Sequence, residues 1–223
     1  LTYILIAFAA YLLGSIPTGY LVAKAKGIDI RSVGSGNIGA TNAMRALGKP
    51  AGIFVLLLDL LKGFVAVAWL APFVFNQFAP TGFWVKPFDL AALNSIAHFT
   101  VLAGTCAVLG HNYTCWLKFK GGKGIATTAG VFLALAPGAL VIALAVFILA
   151  LLLTKYVSIA SISAAVALPA AVWFLAPQNT LLGVVATALG VLAIYKHKGN
   201  IQRLLAGTEN RLGKKVSNRG GTK

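Results

Sequence analysis

Seven stretches of this chain are too apolar to be content in water: about 2–23, 51–75, 90–110, 125–136, 139–153, 157–176 and 180–195. A helix needs about 20 apolar residues, or roughly 17–25 with tilt, to cross the hydrocarbon core. Inside lipid only a helix or a closed barrel satisfies every backbone polar group. Several runs meet that length outright, so the chain is expected to be an all-α integral membrane protein. Its residues are 59% hydrophobic and 10% charged, against about 25% charged in a soluble domain. The runs on either side of Pro137-Gly138 form one kinked helix of unusual length or two short helices joined by a tight turn.

Charge separates those two arrangements. With seven spans, one side receives Lys24 to Lys49, Lys118 to Lys123, Lys155 and everything from Lys196 onward, which is 17 of the 19 basic residues. With six, the basic tail would be exported. The positive-inside rule therefore predicts seven transmembrane helices, N-terminus outside and C-terminus cytoplasmic. Residues 1–210 are expected to form a single seven-span domain, and 211–223 a flexible basic tail on anionic lipid. The segment near 76–89 reads as an interfacial turn on the outside. Without a basic n-region, the first run reads as a permanent span, not a signal peptide. Net charge is +15, which suits anionic lipid or an anionic substrate; the apolar fraction argues against nucleic acid. No protein partner is implied. Cys106 and Cys115 make no metal or disulfide pattern.

Between the first two runs lies the densest polar sequence, Arg31 to Arg45. It holds three glycines, two serines, two asparagines, a threonine and two arginines, and no acid. Glycines let successive N–H groups turn toward one point and form an anion nest, to which hydroxyls and guanidinium groups add donors. Gly34-Ser35-Gly36-Asn37-Ile38-Gly39 matches the dinucleotide fingerprint, but that fingerprint needs a soluble βαβ unit, and here it follows a membrane helix. Asp59 sits in an apolar helix with Lys62 one turn on, and reads as a structural ion pair.

Three further clusters fall on the same predicted side. Lys118-Phe119-Lys120-Gly121-Gly122-Lys123-Gly124 is not a Walker loop, since Leu117 and Gly124 occupy diagnostic positions. It nevertheless sets Lys123 among glycines at the start of a helix, a ready anion site. Positive-inside anchoring accounts for Lys118 and Lys120 but not for Lys123. Ser158 and Ser161 share a helix face, where packing of small residues is the plainer use. The last is Tyr195-Lys196-His197-Lys198-Gly199-Asn200 through Glu209, where the last span reaches water; His197 and Asn200 are three apart. His111 lies near the same boundary; His98 reads as a polar residue within a span. The scarce acids leave little to hold magnesium, and no His/Cys spacing suits zinc, so neither metal nor cofactor is expected.

Gly34-Ser35-Gly36-Asn37-Ile38-Gly39-Ala40-Thr41-Asn42, then Gly121-Gly122-Lys123-Gly124-Ile125-Ala126-Thr127, then His197 with Asn200-Ile201 and Arg203-Leu204, closely resemble the three motifs of the bacterial acyl-phosphate-dependent glycerol-3-phosphate acyltransferases. Order and spacing match over almost the whole chain. The resemblance implies an inner-membrane enzyme of phospholipid synthesis, working at the cytoplasmic face. It would transfer an acyl group from acyl phosphate to glycerol 3-phosphate, giving lysophosphatidic acid and phosphate. The His-x4-Asp motif of the soluble-donor acyltransferases is missing here too: five residues after His98, His111 and His197 come Ala103, Trp116 and Gln202. An expanded segment at about 71–90 departs from the family, away from the motifs.

Carried over, the resemblance implies that Gly34, Ser35, Gly36, Asn37, Ile38, Gly39, Ala40, Thr41 and Asn42 hold the donor phosphate. It also implies that Arg45, Lys123, Ser161, His197 and Asn200 contact substrate. Lys123, His197, Ser35 and Asn200 form the catalytic group. Two phosphate-bearing substrates need two cationic contacts; Arg45 suits bidentate binding and Lys123 a point charge. A carrier for an organic phosphate would use similar loops, but needs polar groups at midplane in broken helices, whereas these motifs crowd one surface.

Overall fold

The computed structural model of the chain describes residues 1–78 and 90–212, with only the backbone described at 90–95. Among the described residues it is all helix: α1 (Thr2–Ser15), α2 (Thr18–Lys24), α3 (Ala40–Leu47), α4 (Lys49–Val65), α5 (Ala71–Phe78), α6 (Leu90–Asn112), α7 (Ile125–Leu135), α8 (Pro137–Thr154), α9 (Val157–Leu175), α10 (Thr180–Lys196) and α11 (Lys198–Leu205). Of the outer turn expected near 76–89, residues 76–78 continue helix α5, and the rest, like the tail from 213, lies outside the described residues. Arg211 and Leu212 are tied down: Leu212 N–H donates to Lys155 O at 2.8 Å, and Arg211 Nε donates to the Tyr156 hydroxyl at 2.9 Å.

The expected seven spans are contradicted. Among the described residues four helical segments are long and apolar enough to cross a membrane: Thr2–Lys24, Lys49–Phe78, Pro137–Thr154 and Val157–Leu175. A fifth exists only if α10 and α11, bent by 52° at His197, count as one. The physical reason is clearest at α7. Pro137 stops the preceding helix and opens α8, which leaves α7 with 11 residues. At 1.5 Å per residue that is about 16 Å, roughly half the hydrocarbon thickness. An apolar run thus counts as a span only where the backbone stays continuous.

The surviving spans look as lipid-facing helices should. α8 buries Ala139 and Ala143 and turns Val141, Ile148, Leu149, Leu152 and Leu153 outward. Lipid is as apolar as leucine, so helices associate through close packing and small residues, not through hydrophobic burial. α4 and α7 meet on Gly63 and Gly130. A β-carbon at Gly63 would collide with the Thr127 carbonyl, and one at Gly130 with that of Leu60. That contact sets the first half of α7 against the C-terminal third of α4.

Within the bundle, the Asp59–Lys62 pair forms as expected. Lys62 Nζ lies 2.9 Å from Asp59 Oδ1, with both side chains buried, and also donates to Ile16 O at 3.1 Å. The hydroxyl of Thr18 donates to the same Asp59 oxygen at 3.1 Å. A buried pair is tolerable when its remaining hydrogen-bonding capacity is used in this way.

Candidate functional site

The four polar clusters meet. A cavity of about 150 Å³ is lined by the 35–45 segment, the start of α7, the start of α9, the α10–α11 junction and Glu209. The N-terminal ends of α3, α7, α9 and α11 all contribute residues to its wall, and helix N-termini carry unpaired N–H groups and positive potential. Among the residues expected at the site, Ser35, Asn37, Gly39, Ala40, Thr41, Asn42, Arg45, Lys123, Ser161, His197 and Asn200 line the cavity, while Gly34, Gly36 and Ile38 do not.

Those three shape the loop instead. Gly34 and Gly36 take φ of 61° and 69°, a region where side chains are strained. A β-carbon on Gly34 would strike Asn42 Oδ1. Ile38 is buried in a cluster with Ala23, Ile30, Ala43 and Val55. Asn42 is the loop's internal clamp. Its Oδ1 accepts from Ser35 N–H at 2.9 Å, and its Nδ2 donates to the carbonyls of Ile30, Val33 and Asn37 at 3.1, 2.9 and 2.9 Å. Asn37 Oδ1 accepts from Gly39 N–H at 2.8 Å. Much of the donor capacity legible in the sequence therefore holds the loop together. Ala40 and Thr41, as the first residues of α3, keep N–H groups without intrahelical acceptors. Arg31 is spent elsewhere: its Nη2 sits 2.8 Å from Asp29 Oδ2 on the exposed surface.

Opposite the loop, a chain of polar contacts fixes Lys123. Lys123 Nζ donates to Asn200 Oδ1. Asn200 Nδ2 donates to Glu209 Oε1 at 2.7 Å, and Arg203 Nε donates to Glu209 Oε2 at 2.7 Å. Burial pushes the Lys123 amine down to about 8, with Glu209 opposing the shift and Arg203, Arg45 and Lys196 adding to it. Burial also lowers the half-buried Arg45 from its usual value, again against Glu209; a guanidinium stays charged regardless. Arg45 Nη2 donates to Asn210 O at 3.4 Å. His197 Nδ1 is 2.7 Å from Ala193 O. A carbonyl only accepts, so the proton sits on Nδ1, and in the neutral ring Nε2 is the acceptor.

Ser158 lines the cavity alongside Ser161. Its buried hydroxyl has no protein partner, which is rare for a buried polar group. The resemblance implied only Ser161 at the site; both serines face inward. Sequence reasoning missed Asp59 and Glu209 as wall residues, while His111, expected near the boundary, is present. Glu209 was findable only as one of four acids, placed beside the last motif. Asp59 gave no signal beyond its pairing with Lys62. Among the described residues no three His, Cys, Asp or Glu side chains gather as metal ligands would. The wall carboxylates Asp59 and Glu209 are paired with Lys62 and Arg203, which leaves Arg45, Lys123 and the N–H donors in excess around one small space. The arrangement can hold phosphoryl groups and stabilise negative charge developing beside them.

Residues 4–207 match the family model described as glycerol-3-phosphate acyltransferase. The chain is 44% identical to the glycerol-3-phosphate acyltransferase of Geotalea daltonii over 207 residues, covering 93% of this chain and 96% of that protein. It is 48% identical to that of Geobacter metallireducens over 208 residues, with the same coverages. Two solved structures of an integral membrane glycerol 3-phosphate acyltransferase superpose on it, each at 38% identity and covering 96% of both chains. The glycerol 3-phosphate form gives a TM-score of 0.80 and the lysophosphatidic acid form 0.77. The chain is therefore a multi-pass integral membrane protein belonging to the glycerol-3-phosphate acyltransferase family.

Proposed function

We propose that this protein transfers an acyl group from acyl phosphate to the 1-hydroxyl of glycerol 3-phosphate, releasing lysophosphatidic acid and inorganic phosphate, at the first step of phospholipid synthesis. The observation that carries this reading is one cavity lined by Arg45, Lys123 and residues from the N-terminal ends of four helices. Such a space favours phosphoryl groups.

Acyl phosphate is an activated donor, so no covalent enzyme intermediate is needed. The glycerol oxygen attacks the acyl carbonyl, the new ester C–O bond forms, and the acyl–phosphate C–O bond breaks. Lys123 and the helix N-termini stabilise the oxyanion and the departing phosphate. Ser35, Thr41, Ser158 and Ser161 offer hydroxyls to hold phosphate oxygens, and Asn200 fixes the Lys123 amine. Holding both substrates in one small cavity supplies much of the rate through orientation. The attacking hydroxyl gives its proton to the donor phosphate, and His197 binds and orients. An apolar groove lined by α7–α10 residues shares Ile125 and Phe147 with the cavity, which suits the acyl chain.

Basic residues flank this end of the bundle: Lys49 opens α4, Lys155 lies between α8 and α9, and Lys196 and Lys198 sit at the α10–α11 bend. By the positive-inside rule the cavity opens to the cytoplasm of a bacterial cell. Thiols introduced near residue 33 and near residue 207 should both react from the cytoplasmic side; reaction from opposite sides would refute this placement.

Purified protein in detergent, given acyl phosphate and glycerol 3-phosphate, should release phosphate in step with a new lysolipid. Uptake of glycerol 3-phosphate into sealed vesicles, without any lysolipid, would instead make the protein a carrier.

A further inference from the structure

A second space, of about 310 Å³, adjoins the first and shares Asn37 and Lys123 with it. Its other charged residues are Lys196 and Lys198, and no carboxylate lines it. Lysines at the end of a membrane helix ordinarily reach outward to headgroups. These two do not. Lys196 is half-buried; its Nζ donates to Asn112 O at 2.8 Å and sits 4.4 Å from the centre of the Tyr113 ring. Lys198 Nζ lies 4.8 Å from the centre of the Tyr195 ring and donates to that residue's hydroxyl at 3.4 Å.

An aromatic face holds an ammonium in place without neutralising it. Each ammonium carries three donors. With one used by a protein acceptor on each of Lys123, Lys196 and Lys198, two apiece remain. Three positioned cations facing one space without a carboxylate repel one another, and an anion between them removes that cost. Both tyrosines line the space beside the lysines they hold.

We propose that this second space is an antechamber for a small phosphate dianion, which passes between it and the reaction cavity by way of Lys123. The inference rests on the acyl-transfer reading and adds a site to it. The chemistry suits two occupants alike: the phosphate of glycerol 3-phosphate as it enters, and inorganic phosphate as it leaves.

Kinetics of the full-length protein with Lys198→Glu and Lys196→Gln separate them. Lys198 is exposed, so its replacement leaves the fold intact even if Lys196→Gln proves unstable. We expect the KM for glycerol 3-phosphate, or the inhibition constant of added inorganic phosphate, to rise about tenfold. The KM for acyl phosphate should stay within about twofold, and Lys198→Arg should restore the original values. A rise in the first constant supports a role in entry, and a rise in the second alone supports a role in release. No change in either, or an equal rise in the acyl-phosphate KM, overturns the antechamber. Loss of the acyl-transfer reading would show separately, as failure of the unmodified protein to make lysolipid.

Discussion

Asn200 donates its side-chain amide to Glu209 at 2.7 Å while its carbonyl oxygen accepts from the Lys123 amine. The amide is thus held at one end by a carboxylate and holds a cation at the other. Asn200 and Lys123 are 77 residues apart in sequence, so the contact exists only because α11 and the glycine loop before α7 close on the same cavity.

Glu209→Gln tests that arrangement. The amide that replaces the carboxylate has one acceptor oxygen where Asn200 and Arg203 now use two. Charge-assisted hydrogen bonds of this kind contribute about 1.5–3 kcal/mol, so kcat/KM should fall roughly 10- to 100-fold. Steady-state rates on the monodisperse fraction of the purified variant check this. A rate within about twofold of the original would mean that Glu209 does not position Asn200.

Lys123 gives a pH dependence with a definite sign. Burial lowers its amine to about 8, so the amine is charged below that pH and loses its charge as the pH rises through it. The free protein's kcat/KM for glycerol 3-phosphate should therefore fall on the alkaline side of about pH 8. Lys123→Arg should flatten that limb, because a guanidinium does not titrate there, while lowering the overall rate by about 10²-fold through lost placement. An alkaline limb that survives in Lys123→Arg would assign it to another group.

His197→Ala separates a base from a binding residue. Burial, with Lys123 adding to it, lowers the His197 imidazole to about 4. With the donor phosphate taking the proton, the variant should be slower by about 10²-fold through lost orientation, with a pH profile of unchanged shape. An acid limb near pH 4, present in the unmodified protein and lost in the variant, would make His197 the base.

Two glycines with similar positive φ should respond differently to alanine. Gly27 and Gly34 have φ of 71° and 61°. A β-carbon at Gly27 meets nothing within 4 Å, whereas at Gly34 it strikes Asn42 Oδ1. Gly27→Ala should cost only the left-handed conformation, about 1 kcal/mol. Gly34→Ala should in addition break the Asn42 clamp, at about 1–3 kcal/mol more, and should raise the KM for acyl phosphate. Thermal unfolding midpoints and substrate kinetics of the two variants make the comparison; equal effects would refute the role given to Asn42.

The sequence made the polar clusters and their meeting at one end legible, because donor-rich loops stand out against apolar runs. It did not reveal which donors are spent internally. Asn42 looks like a phosphate ligand until its four partners are seen, and none of those contacts follows from periodicity. Nor did it give the number of spans. The break at Pro137 was legible, but the run before it, counted as a span, forms a helix of only 11 residues. Glu209 reaches the cavity because the chain turns back after α11, with Gly207 at φ 67° and the Thr208 and Glu209 N–H groups both bonded to Arg203 O. A turn of that kind leaves one glycine as its trace in the sequence. Asp59, buried in an apolar helix, could be paired with Lys62 from spacing alone, but its place in the cavity wall depends on where α6 and the loop pack.

The most direct test of acyl transfer from an acyl phosphate is a donor comparison. Purified protein would be given glycerol 3-phosphate with equal concentrations of acyl phosphate, acyl-CoA or acylated carrier protein, and lysophosphatidic acid measured by mass. We predict product with acyl phosphate alone, accompanied by one inorganic phosphate for each lysolipid. Product from either thioester at a comparable rate, or none from acyl phosphate, would contradict it.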